Sequence, residues 1–201
     1  MKLYHCTKTR STRVLWILEE LGLSYQLETL PFDPKALKGA DYLEINPFGK
    51  VPVLVDGAVT MSESVAIVQY VLDRYADGRL EPDRESPLYG KFLQWLHFGE
   101  ATMMGPVAEL ASHTKFLPEE DRNPAIAKRA RGTLAHYAGI LDDELEGQSY
   151  LIDDEFTAAD IVVGYTLYVT ELFNMWPEGH RNLDAYITRL KERPAFQKAC
   201  A

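Results

Sequence analysis

The chain is short of cysteine, of paired histidines, of long apolar runs and of basic excess. Its two cysteines, Cys6 and Cys200, lie near opposite ends of 201 residues. They build neither a disulfide framework nor a four-cysteine metal site, and a reducing compartment is the simpler reading. His5, His97, His113, His136 and His180 form no close HxxxH or HxH pair, so no metal is expected. No uncharged stretch exceeds ten residues, against the roughly 20 needed to span a bilayer. The opening Met1-Lys2-Leu3-Tyr4-His5-Cys6 has no signal-peptide run, and a soluble, cytoplasmic protein is expected. Lys plus Arg is 21 against 30 Asp plus Glu, a formal charge of −9. That argues against partnership with nucleic acid or an anionic membrane, which need clustered cations.

What is there suits a globular protein. Hydrophobic residues are 46% and charged residues 25%, enough to bury a core in one large domain or two small ones. Charge is uneven: residues 1–80 carry 9 basic and 10 acidic side chains, residues 81–201 carry 12 and 20. A small anionic ligand is repelled less by the first part.

The first part alternates strand and helix signals. Lys2–Cys6 is β-prone, then Val14, Leu15, Ile17, Leu18 and Leu21 recur at helical spacing until Gly22. Tyr25–Leu30 reads as a strand, residues 34–44 as a short helix or irregular segment. Val51–Val55 and Ala58–Met61 form a hairpin about Asp56-Gly57. Ser64–Tyr75 closes with a helix. The order βαβ then ββα predicts a small α/β sandwich over 1–77. Residues 78–87, with charges, two prolines and a glycine, read as a linker. Beyond it strand signals almost vanish, and 88–201 reads as all-helical, with helices over 88–112, 124–146, 158–175 and 182–192.

Three motifs in the first part carry chemistry. In Asn46-Pro47-Phe48-Gly49-Lys50-Val51-Pro52-Val53-Leu54, a proline interrupts a strand-like run. It suits a strand start or edge, with a cis Val51–Pro52 bond giving a sharp turn into the strand. The Val51 N–H and C=O then face outward, able to pair with an extended peptide; an ordinary edge proline is the alternative. In Ser62-Glu63-Ser64, small hydroxyls and an acid open a helix. Simple capping explains this, yet Ser64 at the helix start also suits a ligand carboxylate, and Glu63 a ligand ammonium. Thr7-Lys8-Thr9-Arg10-Ser11-Thr12-Arg13 crowds hydroxyls and cations between the first strand and helix. A thiol placed there is driven toward thiolate. From about 3% ionised at pH 7 for a pKa of about 8.5, a fall of about two units gains some twentyfold in thiolate.

Together these motifs resemble the cytosolic glutathione transferase superfamily, as does Met1-Lys2-Leu3-Tyr4 leading to Ser11-Thr12-Arg13-Val14-Leu15-Trp16. In the second part, Phe156-Thr157-Ala158-Ala159-Asp160 resembles that superfamily's helix-capping box. The resemblance covers essentially the whole chain. It implies a thioredoxin-like N-terminal domain, an all-helical C-terminal domain and a homodimer. It implies a detoxifying transferase with glutathione as co-substrate and no other cofactor. Val51 and Pro52 then hold the glutathione cysteine, Glu63 and Ser64 its γ-glutamyl end, and Lys50 its glycine carboxylate. The activating position departs from the superfamily's serine, cysteine and tyrosine patterns, and Thr9 or Ser11 is the expected thiol partner. An acceptor pocket for a small hydrophobic electrophile is expected between the domains, with Trp95, Phe98, Met103 and Met104, and with His97 and Glu100 on the same helix. Two other readings stand beside this one: thiol–disulfide or peroxidase chemistry on Cys6, and a binding module that kept the fold and lost the chemistry.

Overall fold

The computed structural model describes residues 1–201, apart from the side chain of Pro34. The chain forms two compact units, one of Met1–Leu80 with Glu192–Ala201, the other of Glu81–Lys191. The break between Leu80 and Glu81 falls inside the charged 78–87 segment.

In the first unit, β1 (Lys2–His5), α1 (Ser11–Leu21) and β2 (Gln26–Thr29) form a crossover unit with β1 and β2 parallel. Two short helices follow, α2 (Pro34–Leu37) and α3 (Ala40–Ile45), then the hairpin of β3 (Val53–Asp56) and β4 (Val59–Ser62), then α4 (Ser64–Tyr75). The sheet order is β2-β1-β3-β4, with β3 antiparallel to β1 and to β4. This is a thioredoxin-like domain. Leu3 and His5 are buried while Lys2 and Tyr4 are only half-buried, the alternation a pleated strand imposes. Helix α1 is buried continuously from Ser11 to Leu18. It ends where Gly22 takes a left-handed φ of 66°, with Gly22 N–H donating to Glu19 C=O and Leu23 N–H to Leu18 C=O, a closure glycine adopts without a Cβ penalty.

The second unit is helical: α5 (Leu88–His97), α6 (Met104–Ala111), α7 (Pro124–Glu144), α8 (Ala158–Leu172) and α9 (Arg181–Lys191). The sequence predicts one helix over 88–112. Instead, a π-helical turn at Phe98–Thr102 separates α5 from α6. Here Thr166 Oγ1 of α8 donates to Gly99 C=O at 2.8 Å. A Cβ on Gly99 would lie 3.0 Å from Val162, so the close crossing of α8 needs glycine. Helix α8 is the buried centre of the bundle. At its start, Asp160 accepts from Thr157 N–H (2.7 Å), Leu151 N–H (3.0 Å) and Tyr186 O–H (2.9 Å). Burial pushes this carboxyl up, against the pull of those hydrogen bonds.

The C-terminus differs from the 88–201 domain read from sequence. Helix α10 (Pro194–Cys200) packs on α1 in the first unit. Phe196 meets the Trp16 ring edge-on at 4.8 Å. Arg193 grips both oxygens of Glu20 at 2.7 and 2.8 Å, and Lys198 pairs with Glu19 at 2.7 Å. Within so short a segment, a single aromatic and two cations give little helical periodicity to read. No helix among the described residues is long and apolar enough to cross a membrane.

Candidate functional site

Strand register brings the three motifs of the first unit to one end of the sheet. Tyr4 is opposite Val53, and Val53 is opposite Ser62. The C-terminal end of β1, the start of β3 and the end of β4 therefore lie side by side. From them extend the Cys6–Arg10 loop, the Lys50–Pro52 segment and the Glu63–Ser64 helix start.

The Val51–Pro52 peptide is cis. Among the described residues, neither the N–H nor the C=O of Val51 has a hydrogen-bond partner. Pro52 is buried and Val51 half-buried. The Lys50 side chain is exposed, but its carbonyl is held by Tyr42 O–H at 2.8 Å and by Asn46 Nδ2–H at 2.6 Å.

Glu63 is exposed and has a φ of 74°, which costs a residue with a Cβ about 1–3 kcal/mol. Ser64, the first residue of α4, is buried, and its Oγ accepts from Arg13 Nη1 at 3.1 Å. Arg13 is fully buried in α1. The sequence reading counted Arg13 among the cations near a thiol; the structure gives it instead to bracing Ser64. The first amides of α4 are without intrahelical partners, as at any helix start.

Thr9 and Ser11 do come together, their hydroxyl oxygens 2.8 Å apart. They are not equivalent. Ser11 is 0% exposed, accepts from Cys6 N–H at 3.1 Å and sits 2.8 Å from His5 Nδ1. It ties the end of β1 to the start of α1. Thr9 is half-buried; its hydroxyl donates to Cys6 C=O at 2.7 Å and accepts from Ser11 N–H at 3.4 Å. His5 is buried, and burial lowers its pKa, so the imidazole is neutral near pH 7. Cys6 is 1% exposed, and burial raises its thiol pKa. The redox alternative on Cys6 therefore loses its premise, since a buried neutral thiol is a poor nucleophile.

Three of the four residues expected at an electrophile pocket are core. Trp95, Met103 and Met104 are buried in the second unit. Phe98 alone keeps partial exposure, its ring 5.0 Å from Trp95 and 5.6 Å from Tyr137. Amphipathic periodicity cannot separate a helix's core stripe from a ligand-facing stripe, because both are apolar. Sequence reasoning also missed His5, Arg13, Tyr42 and Asn46 as supports of the site. The one available signal was an arginine on the apolar run of α1. Among the described residues no group of three or more His, Cys, Asp or Glu side chains could hold a metal ion. A concavity of about 520 Å³ opens on the Lys2–Tyr4 face of the sheet, and none of the candidate residues lines it. An open sheet end with unpaired backbone binds an extended peptide without needing a deep cavity.

Comparison with known proteins agrees with this fold. Residues 9–74 match the glutathione S-transferase N-terminal domain, and residues 103–194 the glutathione S-transferase C-terminal domain. Glutathione S-transferase 2 of Schizosaccharomyces pombe is 30% identical over 94% of this chain and 82% of its own length. Glutathione S-transferase F13 of Arabidopsis thaliana is 30% identical over 92% of this chain and 88% of its own. Among solved structures, BphK, a bacterial transferase crystallised as a ternary complex, is 31% identical with a TM-score of 0.86, covering 100% of this chain and 98% of its own. The transferase URE2P6 of Phanerochaete chrysosporium, solved with oxidized glutathione, is 29% identical with a TM-score of 0.87, covering 98% and 93%.

Proposed function

The chain belongs to the glutathione S-transferase family and is a glutathione transferase, and on that premise we propose how its first unit holds the tripeptide and activates the thiol. Val51 pairs with the cysteinyl residue, its N–H donating to the cysteinyl carbonyl and its C=O accepting the cysteinyl N–H. Pro52, with no N–H of its own, fixes the chain direction there. The Ser64 hydroxyl and the first amides of α4 take the γ-glutamyl carboxylate, where the helix dipole favours negative charge. The Glu63 carboxylate takes the neighbouring ammonium, and the Lys50 ammonium the glycine carboxylate. The observation that carries this reading is the unpartnered Val51 backbone at the same sheet end as Glu63 and Ser64.

On binding, the Thr9 hydroxyl turns its one proton from Cys6 C=O to the glutathione sulfur and so favours the thiolate. Ser11 stands behind Thr9 as its hydrogen-bond neighbour. The thiol proton leaves to solvent, and the thiolate forms the new S–C bond to the electrophile. The gain from ionisation alone is about twentyfold at neutral pH; positioning supplies more. The acceptor is a small hydrophobic electrophile. The protein acts as a cytoplasmic, homodimeric detoxifying enzyme, and the exposed Phe48 and Phe32 supply apolar surface for self-association.

The test is turnover of glutathione with a small activated aryl halide. A glutathione-dependent rate whose kcat/KM falls about tenfold in Glu63→Gln, mainly through KM for glutathione, supports the reading. Tight glutathione binding with no turnover of any electrophile class would instead leave a binding module. Light scattering at twice the monomer mass of 22.8 kDa supports the dimer, and a monomer contradicts it.

A further inference from the structure

One carbonyl in this site has two buried donors. Tyr42 and Asn46 both donate to Lys50 C=O, at 2.8 and 2.6 Å, and they are 6% and 3% exposed. A surface-loop carbonyl can be satisfied by water, so two side chains on this one call for a reason. The reason lies in the peptide plane. Lys50 C=O and Val51 N–H belong to one peptide unit, and only the following bond, Val51–Pro52, is cis. In a trans peptide the two groups point in opposite directions. Holding the carbonyl toward α3 therefore aims the Val51 N–H away from α3, toward open space.

The donors are themselves fixed. Tyr42 packs edge-on against Tyr4 of β1 at 6.0 Å, and burial pushes its phenol up to about 12, so it remains a donor at any working pH. Asn46 Oδ1 accepts from Phe48 N–H at 3.1 Å, which leaves its Nδ2 for the carbonyl. Gly49, with a φ of 59°, accepts no side chain, because a Cβ would lie 2.8 Å from Leu37 O. The turn from Asn46 to Lys50 is thus closed on itself by Asn46 and linked to β1 through Tyr42.

We propose that Tyr42 and Asn46 are positioning residues for glutathione, orienting the Lys50–Val51 peptide so that the Val51 N–H meets the cysteinyl carbonyl. This assignment rests on the glutathione site described above. Two donors on one acceptor are redundant: either alone holds the plane, and losing both frees it to rotate.

The experiment uses Tyr42→Phe, which keeps the ring, Asn46→Ser, which keeps a neutral turn residue, and the double variant. Binding of S-hexylglutathione is measured beside thermal stability, with the Val51 amide followed by nitrogen-labelled NMR. Each single change raises Kd about twofold, and the double change about tenfold or more, beyond the product of the singles. The Val51 amide proton moves downfield on ligand addition in the parent and moves less in the variants. A merely structural role lowers Tm but leaves Kd and the amide shift of the folded protein as in the parent, and that result overturns the assignment. Should the double variant not fold, the amide shift in Tyr42→Phe decides in the same way. A parent protein that binds no S-hexylglutathione refutes the glutathione site itself, an outcome distinct from parent-like binding by the variants.

Discussion

Arg13, fully buried in α1, donates from Nη1 to the Ser64 hydroxyl at the start of α4, 51 residues away in sequence and 3.1 Å in space. The bond joins the two helices that pack against each other under the sheet. It also fixes Ser64 Oγ as an acceptor toward Arg13, which leaves the Ser64 hydroxyl proton for a ligand carboxylate.

Arg13→Lys is therefore predicted to be non-conservative. The shorter, single-headed ammonium cannot reproduce the guanidinium fork. Stability should fall by about 1–3 kcal/mol in urea unfolding, the cost of leaving a buried polar group unsatisfied. Glutathione affinity should fall with it. Ser64→Ala should weaken glutathione about tenfold while leaving binding of cysteinylglycine, which lacks the γ-glutamyl group, unchanged.

Thr9 and Ser11 should separate cleanly on substitution. Thr9→Ala should raise the pKa of bound glutathione, read from thiolate absorbance against pH, and lower kcat about tenfold or more with a small change in Kd. Thr9→Ser should restore much of it. Ser11→Ala should act mainly on stability, because Ser11 is 0% exposed and receives the Cys6 amide. A Ser11→Ala protein of native stability whose bound thiol has lost its acidity would reverse the assignment.

His5 gives the fold a pH dependence with a definite sign. Its folded pKa lies below the unfolded value of about 6.5, owing to burial. The unfolded chain therefore binds the extra proton first. The contribution of neutral His5 is complete above about pH 6.5 and is lost as pH falls through that value toward the folded pKa. Stability of the parent minus that of His5→Asn, followed by urea unfolding between pH 7.5 and 5, should decline on acidification. A difference that is flat or rises on acidification contradicts a buried neutral imidazole.

Asp160 should be the most sensitive position of the second unit. Asp160→Ala strands the Leu151 and Thr157 amides and the Tyr186 hydroxyl in the interior. The expected loss is about 3 kcal/mol or more, measured by denaturant unfolding. Asp160→Asn should fall between, since its Nδ2 faces donors and accepts none of them.

Elements with a local cause were legible in the sequence. The Gly22 stop of α1, the Asp56-Gly57 hairpin and the Thr157–Asp160 box follow from turn and cap chemistry that acts within a few residues. The motif at Val51-Pro52 was legible for the same reason, because proline marks its own backbone. What escaped reading depends on distant partners. The Arg13–Ser64 bond spans 51 residues, and α10 reaches α1 through Phe196 on Trp16 and Arg193 on Glu20, 173 residues apart. The break of α5 at Gly99 is set by α8 crossing 67 residues later, where Thr166 takes the carbonyl. Trp95, Met103 and Met104 escaped reading as core for a related reason: an apolar stripe states that a side chain leaves water, and only packing decides what covers it.

The central claim is that the sheet end formed by Thr9, Val51 and Ser64 binds glutathione as its thiolate. Calorimetric titration with reduced glutathione in two buffers of different ionisation enthalpy tests it directly, since the difference in apparent heat counts protons released. The account predicts saturable binding with close to one proton released per site at neutral pH. Binding without proton release would contradict thiolate stabilisation, and no binding at millimolar glutathione would contradict the site.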